Sequence, residues 1–179
     1  MSPLPAAPLT IEWSLLGLLA EQPMHGYELH QRLAEAAGLG LVWRIKQSQL
    51  YALLARLEER GYLVSTLEPQ EAHPPRKIYA LTPAGEAALA AWMQTPVRHG
   101  RDFRLEFLAK VYFAQRRGED VLLALLHAQK AACQSWLENL QATAGAHPPT
   151  SYEELVYRFR LGQIQAMLQW LDESIAVIE

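Results

Sequence analysis

Two short groups of polar residues have side-chain types that could bind a nucleic acid. The first group leads into an apolar, helix-like stripe and consists of Lys46, Gln47, Ser48 and Gln49. The second is the adjacent pair Arg76 and Lys77, which opens a β-like run. Glutamine can bond adenine through two atoms and lysine can reach guanine acceptors, whereas cations on a hairpin hold phosphates without reading sequence. The alternatives are a solvated helix start, with Ser48 as a partial cap, and two solvated surface cations.

Catalytic and metal-binding patterns are absent from the sequence. The pairs Glu58-Glu59 and Glu153-Glu154 are adjacent in helix-like segments, so their carboxylates point in different directions and do not form a paired acid and base. A single cysteine, Cys133, cannot make a thiolate zinc site. No metal-ligand spacing relates the histidines, which are His25, His30, His73, His99, His127 and His147. We therefore expect neither an enzyme nor a bound metal or cofactor.

Composition limits where a nucleic acid could bind. The chain has 179 residues, of which 50% are hydrophobic, so it can bury a substantial core. Its formal net charge is −3, so any binding to nucleic acid must come from a local patch of positive charge. The single cysteine fits a reducing compartment, and the apolar run "WSLLGLLA" is too short to span a bilayer. The sequence predicts a cytoplasmic protein with no membrane partner.

The first part of the chain has the element order helix, helix, helix, hairpin, helix. Apolar residues recur at helical spacing in "IEWSLLGLLAEQP", "MHGYELHQRLAEAAGLG" and "KQSQLYALLARLEERGY". The β-like runs "YLVSTLEP" and "RKIYALT" follow, separated by the proline-containing "QEAHPP", and Thr82-Pro83 then starts a fourth helix. This order predicts a mainly α fold whose residues 1–95 form a winged helix-turn-helix with a two-stranded wing. Such a domain places its third helix in the major groove and its wing on the backbone.

Residues 96–179 are predicted to form a helical dimerisation domain. The segment "TPVRHGRD" marks the boundary, and the pattern beyond it is helical throughout. The last helix carries an unbroken a/d seam formed by Tyr157, Leu161, Ile164, Leu168, Leu171, Ile175 and Ile178. Further apolar residues, among them Phe159 and Trp170, widen this face beyond the needs of a two-helix seam. We therefore expect a homodimer; a monomeric helical hairpin covered by the N-terminal domain is the alternative.

Three linked motifs resemble the N-terminal domain of PadR-type transcriptional regulators. They are "LLGLLAEQPMHGYELHQRL", "QLYALLARLEERGYL" and "PPRKIYALTPAGEAAL", and they occur in the expected order and spacing. "FRLEFLAKVYFA" and the long helices after it look like the C-terminal region of the longer PadR subfamily. The resemblance covers nearly the whole chain. It implies a homodimeric regulator, which we expect to repress transcription by binding a palindromic DNA operator. In this family a small hydroxyl residue usually stands where Gln49 precedes Leu50 and Tyr51 here.

Four further residues are expected at a DNA interface. The family pattern suggests that the hydroxyl of Tyr51 meets a phosphate while its ring packs on the domain; a core tyrosine is the alternative. His25 and Tyr27 open the second helix, whose N-terminal dipole suits a phosphate. Arg56 is the basic residue on the third helix that we expect to reach DNA. A winged-helix protein that binds another regulator instead of DNA, as an antirepressor does, is the alternative function.

Tryptophans indicate where an effector could bind. Trp92, Trp136 and Trp170 are unusual as a group, and an aromatic pocket between the winged domain and the dimer helices would suit a planar or phenolic ligand. Aromatic residues at helical spacing are also typical of a core, which is the alternative. We expect a small aromatic effector that releases the operator.

Overall fold

The computed structural model describes residues 10–35, 38–42, 44–69, 76–142 and 150–179. The chain divides into two compact units. One runs up to Gln94 and includes Leu108–Phe113, and the other comprises Thr95–Phe107 and Ala114–Glu179. The mainly α winged-helix architecture predicted from the sequence is confirmed. The predicted hairpin tip at 70–75 and most of the predicted linker at 146–150 lie outside the described residues.

The first unit has the helix and strand order of a winged helix. Its elements are α1 (Thr10–Glu21), β1 (Met24–His25), α2 (Gly26–Ala34), a 3-10 turn (Leu39–Leu41), α3 (Gln47–Glu59), β2 (Leu63–Glu68), β3 (Arg76–Leu81) and α4 (Pro83–Gln94). The sheet is antiparallel with the order β1-β3-β2. The sequence predicts only the two wing strands, because the two residues of β1 are too few to show a period. Met24 and His25 pair with Tyr79 and Ile78 at the base of the wing.

The core of the first unit is built largely from leucines at helical spacing. Fully or nearly fully buried side chains from three helices meet in one cluster, which includes Leu15, Leu16, Leu18, Leu29, Leu33, Leu50, Leu54 and Leu57. Burying each of these side chains stabilises the fold by about 1.5–3 kcal/mol relative to exposing it. The apolar face of α3 is therefore fixed against α1 and α2, and its polar face is left outward.

The end of α3 and the start of α4 share one cap. Gly61 adopts a φ of +73°, which favours glycine, and the N–H groups of Gly61 and Tyr62 donate to the carbonyls of Glu58 and Leu57. The hydroxyl of Thr82 donates to the Gly61 carbonyl at 2.6 Å and accepts from the Gly85 N–H at 3.1 Å. This double contact joins the end of the wing to the end of α3.

A buried carboxylate on α1 joins that helix to α3. Glu12 is fully buried, and its Oε1 lies 3.1 Å from Nε of Arg56 while its Oε2 accepts a hydrogen bond from Nη1 of Arg60 at 2.9 Å. A buried charge is tolerated only when it is paired. The two arginines therefore hold the C-terminal half of α3 against α1.

The second unit is a long antiparallel helical hairpin with a short lead-in. The lead-in is the single helical turn α5 (Gly100–Asp102) and a π-helical turn (Phe103–Phe107), after which α6 (Leu108–Arg117) begins in the first unit. The hairpin is α7 (Glu119–Gln141) and α8 (Tyr152–Ile178), and contacts of His127 with Glu179 and of Lys130 with Asp172 follow the antiparallel order of the two helices. Among the described residues, no helix has the length and apolar character needed to cross a membrane.

A glutamine interrupts the apolar face of α7 for a structural reason. Gln129 is fully buried, and its Oε1 accepts a hydrogen bond from the Val97 N–H at 2.8 Å while its Nε2 donates to the Val97 carbonyl at 3.4 Å. Its side chain thus satisfies both backbone groups of a buried loop residue. Cys133, one turn later, is buried, and burial raises the pKa of its thiol.

Glu12→Ala should destabilise the protein by about 3 kcal/mol, because it leaves Arg56 and Arg60 without their shared carboxylate. Urea unfolding followed by circular dichroism measures the loss. Glu59→Ala, at an exposed position on α3, is the control and should change stability by no more than about 0.5 kcal/mol. A loss below about 1 kcal/mol for Glu12→Ala would show that the pair does not hold the two helices together.

Candidate nucleic-acid interface

The leading turn of α3 is polar and projects from the first unit. Lys46 is extended and precedes the helix, and the side chains of Lys46, Gln47, Ser48 and Gln49 are all exposed. One residue further on, Leu50 is fully buried. Because burial of the rest of the helix fixes its axis, these four side chains have a defined direction. A helix N-terminus also presents unpaired N–H groups and partial positive charge, which suit a negatively charged partner.

Gln49 has a capping role within this turn. Its Oε1 accepts a hydrogen bond from the backbone N–H of Lys46 at 3.0 Å, as the third residue of a helix does in a capping box. Its carbonyl oxygen is thus already engaged, whereas a bidentate contact to adenine uses that oxygen and the amide nitrogen together. In the described part of the chain, the side chains of Gln47 and Ser48 make no such bond. Gln47 is therefore the better placed glutamine for contacting a base.

Tyr51 packs against the start of α2. A Cβ atom placed on Gly26 would lie 2.5 Å from Cε1 of Tyr51, so the ring occupies the space that a side chain would need. Tyr51 is still 42% exposed, and the neighbouring Tyr27 is 59% exposed and accepts a hydrogen bond from Gln31 at 3.0 Å. The glycine thus brings two tyrosine rings to the surface beside the wing.

Two carboxylates lie close to basic residues of the wing and offset part of its positive charge. Nζ of Lys77 lies 3.6 Å from Oε2 of Glu58, and Nε2 of His25 lies 3.3 Å from Oε2 of Glu68. Arg76 is exposed and forms no ion pair with any residue that the structure describes. Among the described residues of the wing, Arg76 is therefore the exposed cation without an ion pair.

A concave surface brings five of the expected residues together. The cavity, of about 820 Å³, is lined by His25, Gly26, Tyr27, Glu28, Tyr51, Arg76, Lys77 and Tyr79. Burial, and then the nearby carboxylate of Glu58 and the Tyr51 hydroxyl, raise the pKa of Tyr79 above its usual value. A tyrosine hydroxyl is already protonated at neutral pH at its ordinary pKa, so it can donate a hydrogen bond into this surface.

Arg56 differs from the other expected interface residues, because its guanidinium is paired with buried Glu12. The side chain is 46% exposed. Its contact with Glu12 gives it a structural role that the sequence does not indicate, since the two residues are far apart along the chain.

Comparison with known proteins shows which protein family this chain resembles. The sequence model of the Transcriptional regulator PadR-like family matches residues 15–91, and that of Virulence activator alpha C-term matches residues 103–179. The chain is 27% identical to the negative transcriptional regulator PadR of Bacillus subtilis over 94% of this chain and 97% of that protein. It is 30% identical to a probable transcriptional regulator of Mycobacterium tuberculosis over 54% of this chain and 50% of that protein. Residues 15–91 of this chain therefore belong to the PadR-like family of transcriptional regulators.

A solved structure is also similar to this PadR-like chain. The crystal structure of Bacillus subtilis PadR in complex with operator DNA matches with a TM-score of 0.49 and 24% identity, covering 96% of this chain and 100% of that one. PadR-like proteins regulate transcription and are not enzymes.

The expected effector-site and dimer residues of the PadR-like chain occupy distinct environments. In the first unit, Trp92 is buried and stacks on Trp13 with ring centroids 5.5 Å apart, while Nζ of Lys110 lies 5.0 Å from its ring. In the second unit, Trp136 lines a cavity, and Trp170 packs edge-on against Phe103 and Phe107.

Three residues of the predicted a/d seam, Ile164, Leu171 and Ile175, are buried within the single chain. The other four, Tyr157, Leu161, Leu168 and Ile178, are half-buried. The seam thus faces the interior of the α7–α8 hairpin rather than open solvent.

Sequence reasoning missed the acidic residues of the wing. Glu68 lies opposite Arg76 in the β2–β3 register, and Glu58 lies at the end of α3 next to Lys77. Strand register could have indicated that Glu68 lies opposite Arg76, because opposite charges facing each other across a hairpin are a recurrent arrangement, although the Glu68 carboxylate lies next to His25 in the structure. No sequence signal indicates the second, which depends on the packing of α3 against the wing.

Gly26→Ala should destabilise the protein by about 1–3 kcal/mol, because the new Cβ overlaps the Tyr51 ring. In a Tyr51→Ala background the same change should be neutral or stabilising, since alanine favours helix over glycine. A double-mutant cycle in urea measures the difference. Equal costs in both backgrounds would exclude the ring contact as the reason for glycine.

Proposed function

We propose that this PadR-like chain is a homodimeric repressor that binds a palindromic DNA operator. The observation that carries the proposal is the leading turn of α3, whose four polar side chains are exposed at the end of a helix buried along its other face. Gln47 and Lys46 would read base edges, with Gln49 holding the turn in shape. Repression is inferred from the 27% identity to a negative transcriptional regulator over 94% of this chain.

The wing would position the duplex, with Arg76 on a phosphate and Tyr51, Tyr27 and His25 at the concave surface behind it. This arrangement reconciles a net charge of −3 with DNA binding. The phosphate contact needs only a few exposed cations on one face, and sequence reading needs shape and polar groups rather than charge.

A second function is favoured by the same charges. The pair Lys77–Glu58 and the Glu68 carboxylate beside His25 offset positive charge on the wing, which suits a protein partner such as another regulator better than a phosphate backbone. Binding of the purified protein to the DNA upstream of its own gene, with scrambled competitor and a salt series, separates the two. A complex that resists competitor and weakens steeply with salt supports the repressor; no complex at physiological salt supports the antirepressor.

Arg76→Ala should weaken binding to specific and scrambled DNA alike and flatten the slope of log K against log salt by about 0.9, because one phosphate contact is lost. Fluorescence anisotropy at several salt concentrations gives this slope. An unchanged slope would remove Arg76 from the interface.

The variant Glu58→Gln changes the charge near the wing in the opposite direction from Arg76→Ala. It keeps an acceptor for the Ser65 hydroxyl and releases Lys77 from its ion pair. The same anisotropy measurement should show tighter binding and a slope steeper by up to about 0.9. Weaker binding would mean that the Lys77–Glu58 pair shapes the wing rather than masking a phosphate contact.

The dimer interface that we propose lies on the outer face of α8. Many residues on the side opposite Ile164, Leu171 and Ile175 are small or apolar and exposed, and they form an outer stripe of Tyr152, Leu155, Phe159, Gly162, Ala166, Trp170 and Val177. Successive members are three or four residues apart up to Trp170, as a helix-packing seam requires, and Glu173 interrupts the stripe before Val177. A largely apolar stripe of this length favours burial against another chain.

Charge and size favour an antiparallel pairing of two α8 helices. With the two-fold axis at Ala166, Gly162 of one helix faces Trp170 of the other, which fits a large ring into a gap. Arg158 then lies near Glu173 of the second copy, on both sides of the axis. A parallel pairing would instead place Glu173 beside Glu173 and Phe159 beside Phe159. Since opposite charges meet only in the antiparallel arrangement, it is the one that we propose.

Ala166→Arg should convert the dimer to a monomer, because it introduces two guanidinium groups at the two-fold axis. Gln165→Arg, at an adjacent exposed position about 100° around the helix, is the matched control and should remain dimeric. Light scattering after gel filtration measures both masses. A dimeric Ala166→Arg would exclude the outer stripe, and a monomeric wild-type chain would exclude the homodimer.

The paired α8 helices would set the distance between the two recognition turns. An effector that changes their packing would alter half-site spacing and release the operator. The aromatic effector expected from the sequence would use Trp136, which lines a cavity in the second unit.

A further inference from the structure

The second unit contains a cavity of about 450 Å³ between the segment 98–101, α7 and α8. This volume lies within the range of small-molecule sites. The segment 98–101 follows Val97, whose backbone is fixed by buried Gln129 on α7. Two walls of the cavity are therefore held in place by the hairpin itself.

Cations dominate the polar lining of this cavity. Three guanidinium groups, from Arg98, Arg101 and Arg160, surround it together with His99, and no carboxylate is among the lining residues. Asp102 partly offsets Arg101, with 3.7 Å between Oδ1 and Nε, whereas Arg98 and Arg160 have no ion pair within the described ranges. Like charges gathered in a concave site repel one another, and an anion with more than one charge relieves that repulsion.

The remaining lining is apolar and aromatic. Trp136 and Met167 form part of the wall, with Ile164 buried behind them. A free inorganic anion would leave this surface in contact with water. A ligand with a planar or apolar body would cover it while its acidic groups face the arginines, whose forked donors bind carboxylate and phosphate oxygens in pairs.

We propose that this cavity binds a small organic dianion, a molecule with an apolar body and either two carboxylates or one phosphate monoester. Arg160 on α8 and Arg98 on the loop would hold the acidic groups, and Trp136 would contact the body. The inference that this ligand is the effector rests on the proposed repressor function. The inference that the cavity binds a dianion does not depend on that function. Because the contacts join α8 to the loop, binding would change the helix that carries the proposed dimer interface.

Calorimetric titration of the full chain with four probes tests the binding. The probes are benzene-1,3-dicarboxylate, phenyl phosphate, benzoate and benzamide, each at two salt concentrations. At least one dianion should bind about tenfold or more tightly than benzoate and weaken with salt, and benzamide should not bind. The tighter of the two dianions identifies the acidic group. Benzoate binding as tightly as both dianions, or the absence of binding by either dianion, would overturn the proposal.

Substitutions of the cavity arginines test whether the dianion binds in this cavity. Arg160→Gln and Arg98→Gln should each weaken the tighter dianion about tenfold or more, and Arg160→Lys should recover part of the loss. Arg117→Gln, an exposed arginine outside the cavity, should bind like the wild type. Unchanged affinity in both cavity variants, with circular dichroism confirming that all are folded, would overturn the proposal.

A separate experiment adds the tighter dianion to the DNA complex. Release of DNA by wild type, and not by Arg160→Gln, supports the effector role. Dianion binding without release leaves the site supported and removes that role. A chain that binds no DNA would overturn the repressor function alone, since the titration decides the site without DNA.

Discussion

The fold of the first unit depends on the burial of one carboxylate. Glu12 lies inside the packing of α1, and Arg56 and Arg60 reach its carboxylate from α3. This contact fixes the second half of α3, and leucine packing fixes the rest. Consequently the opposite end of the helix, the turn from Lys46 to Gln49, is the part left to project. Arg56, which we expect to reach DNA, also contacts Glu12 and so helps to orient α3; its contact with DNA stays a prediction.

The wing shows how an acidic chain can carry a small cationic face. Lys77 is paired with Glu58 and Glu68 lies beside His25, so carboxylates offset part of the positive charge, and Arg76 is the exposed cation without an ion pair among the described wing residues. In the proposed repressor, weak attraction at long range would limit binding to arbitrary DNA and leave discrimination to the polar turn of α3. The proposed dimer would add a second copy of each contact, so that specificity comes from the spacing of two turns rather than from many cations.

Local chemistry in the sequence predicted most of the fold. Helical spacing, Gly61, and Thr82-Pro83 indicated the helices and the wing, because each acts over a few residues. Long-range contacts were not predictable: β1 is two residues long, Glu58 meets Lys77 across the fold, and Glu12 meets Arg60 from 48 positions away. On α8 two opposite faces both carry apolar residues, and periodicity alone cannot say which one packs against α7. The placement of Trp92 on Trp13 likewise depends on tertiary packing.

The most direct test of the account is selection of DNA from a random-sequence library by the purified full-length chain. A dimer joined by antiparallel α8 helices and reading DNA through α3 should enrich an inverted repeat whose half-site centres lie about one helical turn, or a multiple of it, apart. Gln47→Ala should relax the preference at one position in each half-site. Enrichment of a single unrepeated site would contradict the dimeric reading, and the absence of any enriched sequence would contradict the proposal that this chain recognises an operator.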